Sequence, residues 1–294
     1  MVELYRGGVV SRILKAVFGR APGRGMIVAG LSIILAVALM AILAPYIAPY
    51  KPNELSVPVE LSGTPQPPSW EHPMGTNQVG YDVFSRILYG ARVILYVVIV
   101  ASLLSMSIGV PLGLLSGYAG GALDRALSIV MDSIYAFPGI ILAIAVASVL
   151  GPNPTNAAIA IAVVYVPTYY RMVRGQTLEI RESLFVEALR GLGYPGRTIL
   201  FKHILPNTAP TILVVFGLSA ADAILTEAGL SFFGLTVSYP EPDWGYDLYT
   251  GKNFLRVGAW WMILFPGLMI MLLALGFALL GEGLSERIAL RTER

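Results

Sequence analysis

Met26 to Ala48, Val93 to Leu123 and Gly258 to Gly281 each carry no charged residue and are each long enough to cross a bilayer. A helix over the first would span roughly 34 Å at 1.5 Å per residue, against a hydrocarbon core of about 30 Å. Of 294 residues, 56% are hydrophobic and 13% charged, and the mean hydropathy is +0.71; an ordinary soluble domain has about 25% charged residues. The expected fold class is all-α, a polytopic membrane protein with six transmembrane helices.

There is no cysteine, which excludes disulfides, thiolate metal sites and cysteine catalysis. The net charge of +2 is too small to argue for nucleic acid. About twenty-five residues precede the first apolar run and no clear small-residue cleavage site follows it, so that run is expected to be a retained anchor rather than a secretory signal.

Residues 1–25, with Arg6, Arg12, Lys15, Arg20 and Arg24 against Glu3, form the expected cytoplasmic N-terminal tail, and 26–48 the first transmembrane helix. Residues 49–92 are expected outside. The prolines from Pro49 to Pro68 make 49–71 extended, and His72 to Arg92 suits an interfacial segment with Thr76 or Asn77 as helix cap. The core, 93–282, then holds five further spans: Val93 to Leu123, about Ala126 to Leu150, about Asn156 to Tyr170, about Ala209 to Leu235, and Gly258 to Gly281. A cytoplasmic loop, 171–207, interrupts them, and 283–294 form a cytoplasmic tail. Gly109, Gly113 and Gly117, at intervals of four, leave one face of span two nearly bare, for packing within the chain or against a partner subunit. This topology leaves Lys51, Arg86, Arg92, Lys252 and Arg256 outside and the other fifteen of the twenty Lys and Arg inside, the distribution the positive-inside rule prefers.

Asp132, Asp222 and Glu227 are the acids within expected spans. Each costs roughly 2.5–3.5 kcal/mol at a helix centre facing lipid, so they are expected to face the bundle, a partner or a wet path. Ion coupling and structural hydrogen bonding are the two roles open to them. His72 and His203 fall on opposite sides of the membrane and share no metal. No Gly-x4-Gly-Lys-Ser/Thr occurs and no nucleophile, base and orienting acid assemble, so neither P-loop binding of ATP nor catalysis is expected. Trp260 and Trp261 are expected to be interfacial anchors.

Between Thr177 and Asn207 the pattern becomes amphipathic. Leu178, Phe185, Leu189 and Leu192 recur at helical spacing, while Glu179, Glu182 and Arg190 lie off that stripe; Gly193, Pro195 and Gly196 stop the helix. Glu187-Ala188-Leu189, three residues, Gly193, nine residues, His203, one residue, Leu205-Pro206 resembles the "EAA" loop of ATP-binding-cassette (ABC) importer permeases. Leu189 and His203 stand where Ala and Ile are usual; Leu189 keeps the expected docking face apolar. A helix lying at the membrane surface is the alternative for this segment taken alone.

Gly75, Thr76, Gly80, Asp82, Val83, Ser85, Arg86, Gly90 and Arg92 match a second motif, that of the dipeptide and oligopeptide branch, with Asn77 and Tyr81 in place of Asp and Arg. Glu227, Ala228, Leu230, Ser231, Phe232, Gly234 and Leu235 match a third, where Phe233 and Thr236 replace Leu and Gly. With Pro242-Asp243-Trp244-Gly245 and the exit Gly281-Glu282-Gly283-Leu284, the resemblance runs from Ala21 onward and is to the C-type permeases of that branch. It implies a type I importer permease core in the cytoplasmic membrane, with both termini cytoplasmic. It also implies a second homologous permease subunit, two cytoplasmic ATPases that bind ATP and Mg, and an extracellular substrate-binding protein. The chain itself then needs no cofactor. Glu187, Ala188, Leu189 and Gly193 are the implied docking surface for an ATPase, and Leu205 and Pro206 its junction with span five. The resemblance implies di- or oligopeptides as the substrate, with oligosaccharides and metal chelates as the alternatives. The rival function is an ion-coupled carrier using Asp132, Asp222 and Glu227; an integral membrane enzyme would need a polar cluster that the sequence lacks.

Overall fold

A computed structural model describes residues 23–58 and 63–292. The expected basic residues Arg6, Arg12, Lys15 and Arg20 lie outside these. Among the described residues the chain is helical with no strand beyond one isolated bridge, Thr76 to Asp82. Four helical stretches are long and apolar enough to cross a membrane, and a bent pair makes a fifth.

Helix α1, Arg24–Ile47, packs along the last helix of the chain and touches the next one. Helix α2, Val83–Ala119, is about 55 Å long. Its cap is Asp82, whose carboxylate accepts from the Ser85 amide at 2.7 Å, rather than Thr76 or Asn77. Asn77 is occupied elsewhere, its side-chain oxygen accepting from the amides of Val79 and Tyr81. The expected interfacial segment and span two are therefore one helix, longer than the bilayer is thick.

The expected third span is not straight. Helix α3, Gly121–Tyr135, and helix α4, Gly139–Leu150, meet at 88°. Pro138 has no amide to donate and disfavours helical geometry at Phe137, which breaks the run there.

Helix α5, Pro154–Arg181, starts at Asn153, whose side chain accepts from Thr155, and continues well past the expected end at Tyr170. Pro167 does not end it. The extension is held by side chains: Arg171 pairs with Asp132, Arg174 with Asp124, and Arg181 donates to the carbonyls of Gly117 and Tyr118. At about 42 Å, α5 is long enough to be the sixth span. It is less apolar than the others because α2, α3, α4 and the helix Leu205–Phe232 surround it, so little of it has to satisfy lipid.

The α2–α5 contact is the most extensive in the chain. It is made by the glycine stripe: a Cβ added at Gly109, Gly113 or Gly117 would come within 2.6–2.8 Å of Tyr169 Cβ, the Tyr170 carbonyl oxygen or the Arg174 carbonyl oxygen. The bare face is thus turned inward to α5. Gly113→Ala is expected to destabilise the solubilised protein by about 1–3 kcal/mol, since backbone cannot swing aside. Gly175→Ala, where a Cβ meets nothing within 4 Å, should be neutral or better. Thermal denaturation in detergent compares the two.

After helix α6, Leu184–Gly191, a short turn Gly196–Thr198 and a π-helical turn Ile199–Ile204 run without a break into helix α7, Leu205–Phe232. Helix α8, Trp244–Gly251, and a 3-10 turn, Lys252–Val257, lead to helix α9, Trp261–Thr292, which extends beyond the expected Gly281 into the tail. Helices α1 and α7 pack on α9.

Candidate functional site

The segment that interrupts the spans is two helices, not one. Helix α5 ends at Arg181, the Ser183 hydroxyl turns back to the Ile180 carbonyl at 2.5 Å, and α6 starts at Leu184. Leu178 therefore belongs to α5, and the expected single stripe through Leu178, Phe185, Leu189 and Leu192 does not form. The apolar residues of α6 divide between two sides. Val186 is fully buried and Leu189 packs beside it on a cluster that includes Val110, Leu114, Val173, Ile199 and Ile204. Leu189 is thus on the anchoring side, not on the outward face expected for it. Facing out are Leu184, Phe185 and Leu192, at 83, 45 and 75% exposure, together with Glu187 and Ala188.

Gly193 ends the segment. Its φ of +77° is a conformation that L side chains rarely adopt, and it closes a Schellman turn: its own amide donates to Arg190 O at 2.9 Å and the Tyr194 amide to Leu189 O at 3.1 Å. Tyr194 meets His203 edge-on, and the Arg190 guanidinium lies 5.8 Å from the centre of the Tyr118 ring at the end of α2. Leu205 packs on the same apolar cluster and Pro206 sits in the first turn of α7. The projecting helix is thereby fastened to α2, α5 and α7.

At the other end of the bundle three distant motifs meet. Arg86, buried, donates to Asp247 from Nη2 at 2.6 Å and from Nε at 2.9 Å, and to the carbonyls of Pro240 and Glu241. Burial pushes the Asp247 carboxyl up from the usual carboxylate range, and the Arg86 guanidinium opposes that shift. Asp82 also binds the Ser85 hydroxyl at 2.7 Å and His72 Nδ1 at 3.1 Å. Trp244 is fully buried against Gly90 and donates to Ile87 O at 2.9 Å. Asp243 caps α8 and accepts from the Ser231 hydroxyl, with the buried Glu227 beside it. Trp261, expected as an interfacial anchor, is instead buried and donates to Thr76 O at 3.0 Å, whereas Trp260 stays half exposed. This cluster pins the segments before α2 and between α7 and α9 to α2, α7 and α9.

The three acids expected within the membrane are not brought together. Asp132 is on the surface of α3, 2.7 Å from Arg171 Nη2, with that guanidinium 3.9 Å above the Tyr135 ring. Glu227 is enclosed near Asp243 and Thr236. Asp222 is exposed on α7. Among the described residues no group of three His, Cys, Asp or Glu is placed to hold a metal.

The family of binding-protein-dependent transport system inner membrane components matches residues 109–290, well over half of the chain. The chain belongs to that family. The N-terminal transmembrane domain of oligopeptide transport permease C matches residues 25–68 of this permease. It is 41% identical over 261 residues to the dipeptide transport system permease protein DppC of Alkalihalophilus pseudofirmus, covering 89% of this chain and 84% of that protein. It is 38% identical over 262 residues to the glutathione transport system permease protein GsiD of Pectobacterium atrosepticum (89% and 85% covered). With the probable D,D-dipeptide transport system permease protein DdpC of Escherichia coli the identity is 36% over 264 residues (90% and 87%). These matches make it an ABC importer permease of the dipeptide/oligopeptide family. Among solved structures, the inward-facing MetNI methionine ABC transporter aligns with a TM-score of 0.56 at 22% identity, covering 70% of this chain and 95% of that one, which establishes a shared fold. The permease is a multi-pass membrane protein.

Proposed function

We propose that this permease is one of two homologous membrane subunits of an ATP-driven importer of peptides, and that α6 is the element through which a cytoplasmic ATPase moves it. The observation that carries this is the division of α6 into an anchored side and an apolar outward side: Val186 and Leu189 hold it to the bundle, while Leu184, Phe185 and Leu192 stay uncovered. An amphipathic helix at the membrane surface would expose such a face to lipid. Here Glu187 and the excess of Lys and Arg assigned to the inside favour the cytoplasm instead. The names of the relatives, for dipeptides, glutathione and D,D-dipeptides, favour peptides over oligosaccharides or metal chelates.

In this mechanism two ATPase subunits bind ATP and Mg, close on each other and carry α6 with them. The cluster under Val186 ties α6 to α2 and α5, and the unbroken helical path from Gly196 to Phe232 carries the displacement up α7. The two permeases then open outward to accept a peptide from the extracellular binding protein, with both termini of this chain in the cytoplasm. An ion-coupled carrier working alone is disfavoured because Asp132 is already neutralised by Arg171 and does not meet Asp222 or Glu227.

Phe185→Glu tests the assignment. It is expected to leave the permease in the membrane, since Phe185 is half exposed, but to weaken ATPase association on the order of a hundredfold by placing an unpaired charge in the contact. Co-purification of the ATPase subunits and ATP-dependent peptide uptake in proteoliposomes should fall together. Normal uptake by Phe185→Glu, or uptake without ATPase subunits, would exclude the proposal.

A further inference from the structure

Asp222 is the intramembrane acid without a settled partner. Its helix neighbours Ala221 and Ala223 are buried while Asp222 itself is exposed, and among the described residues no Lys, Arg or His forms an ion pair with it. It lies about 15 Å below the outer end of α7 at Phe232, well within the apolar span. One turn further out on the same face, the Thr226 hydroxyl donates to the Asp222 backbone carbonyl at 3.0 Å, and its oxygen lies 3.0 Å from the Tyr165 hydroxyl. Tyr165 comes from α5, about 16 Å below Pro154, and reaches the Asp222 turn of α7 through Thr226. Two helices thus deliver a carboxylate and two hydroxyls to one level of the membrane.

A carboxylate turned to hydrocarbon is unfavourable, so this face meets either water or a cation. A carboxylate and two hydroxyl oxygens together match an alkylammonium group, which has three N–H donors and no acceptor. We propose that Asp222, Thr226 and Tyr165 line the translocation path and form a site for the ammonium group of the passing substrate. The inference rests on the importer function above, and it narrows the cargo: a peptide with a free N-terminus or a lysine carries such a group, whereas a neutral oligosaccharide does not. The competing cation is an Arg or Lys of the second permease subunit.

The lack of cysteine supplies the test. Thr226→Cys gives this chain a single thiol next to Asp222. The assembled complex, in proteoliposomes with and without trapped nucleotide, is treated with 2-aminoethyl methanethiosulfonate, an ammonium, or the 2-sulfonatoethyl reagent, an anion. The ammonium reagent is expected to react at least about tenfold faster in one nucleotide state. Adding Asp222→Asn should bring the two rates together, and Asp222→Glu, which keeps the charge, should preserve the preference. No modification in either state would mean that the face is covered, and an unchanged rate ratio in Asp222→Asn would mean that the carboxylate does not select the cation; either overturns the proposal. Loss of the second permease from the complex on Asp222→Asn alone would assign the carboxylate to that subunit and overturn it as well. Labelling does not require uptake, so a wild-type complex that fails to import would count against the importer function and not against this site.

Discussion

Gly193→Asp is expected to abolish ATP-driven uptake while leaving the permease folded and in the membrane. A Cβ at this position meets nothing within 4 Å, so the substitution creates no clash inside the chain. Its conformational cost comes from φ +77°, and for a side chain as short as Asp is about 1–2 kcal/mol. That strains the Schellman turn without unfolding the bundle. The larger effect lies outside the chain, because the open space beside Gly193 is where the proposed ATPase contact sits, next to the uncovered Leu192. A carboxylate there adds an unpaired charge to the contact, costing about 3 kcal/mol, on the order of a hundredfold in affinity. Gly193→Ala carries only the backbone strain and should retain partial uptake. Membrane content by immunoblot, ATPase co-purification and uptake in the same vesicles separate the two effects; full uptake by Gly193→Asp would remove this segment from the coupling mechanism.

Arg86→Ala should have the largest effect on stability. Arg86 and Asp247 are both largely buried, and removing one partner of such a pair leaves the other charge uncompensated, at a cost of about 3–5 kcal/mol. The carbonyls of Pro240 and Glu241 lose their donor in the same step. The loop before α8 and the start of α2 are joined by this side chain, so the loss should appear as a lower apparent Tm in detergent and increased proteolysis of the loop before α8. Replacing both charges, as Arg86→Met with Asp247→Leu, removes the uncompensated carboxylate and is expected to recover much of the stability. A double variant as unstable as Arg86→Ala would show that the contacts to the carbonyls, rather than the ion pair, dominate.

The helical membrane class was legible because uncharged runs such as Met26 to Ala48 admit few other folds. Departures from the sequence-based expectations have specific causes. Pro138 bends one expected span through 88°, whereas Pro167 leaves α5 intact, and composition does not distinguish a proline whose surroundings re-satisfy the helix from one that breaks it. The periodicity from Leu178 to Leu192 continued across a break at Ser183 because a helical pattern does not record where the backbone turns. It also does not say which side of α6 faces the bundle, and the structure packs Leu189 against the buried cluster rather than outward. Arg86 and Asp247 are 161 positions apart, and nothing local to either marks the other as its partner. Adjacent tryptophans at the start of an apolar run suggest two interfacial anchors, and nothing local to Trp261 marks the Thr76 carbonyl as its partner. Asp82 could have been recognised as the cap of α2, since an acid immediately before an apolar helix carries that signal.

The most direct measurement is the side of the membrane, and the cover, of residue 188. Ala188→Cys puts the only thiol of this chain on the exposed surface of α6. A membrane-impermeant maleimide is predicted to leave it unmodified in intact cells, to modify it in inside-out vesicles, and to do so about tenfold more slowly once the ATPase subunits are bound. Modification in intact cells, or a rate in inside-out vesicles that the ATPase subunits leave unchanged, would contradict the proposal that α6 carries force from a cytoplasmic ATPase to the membrane helices.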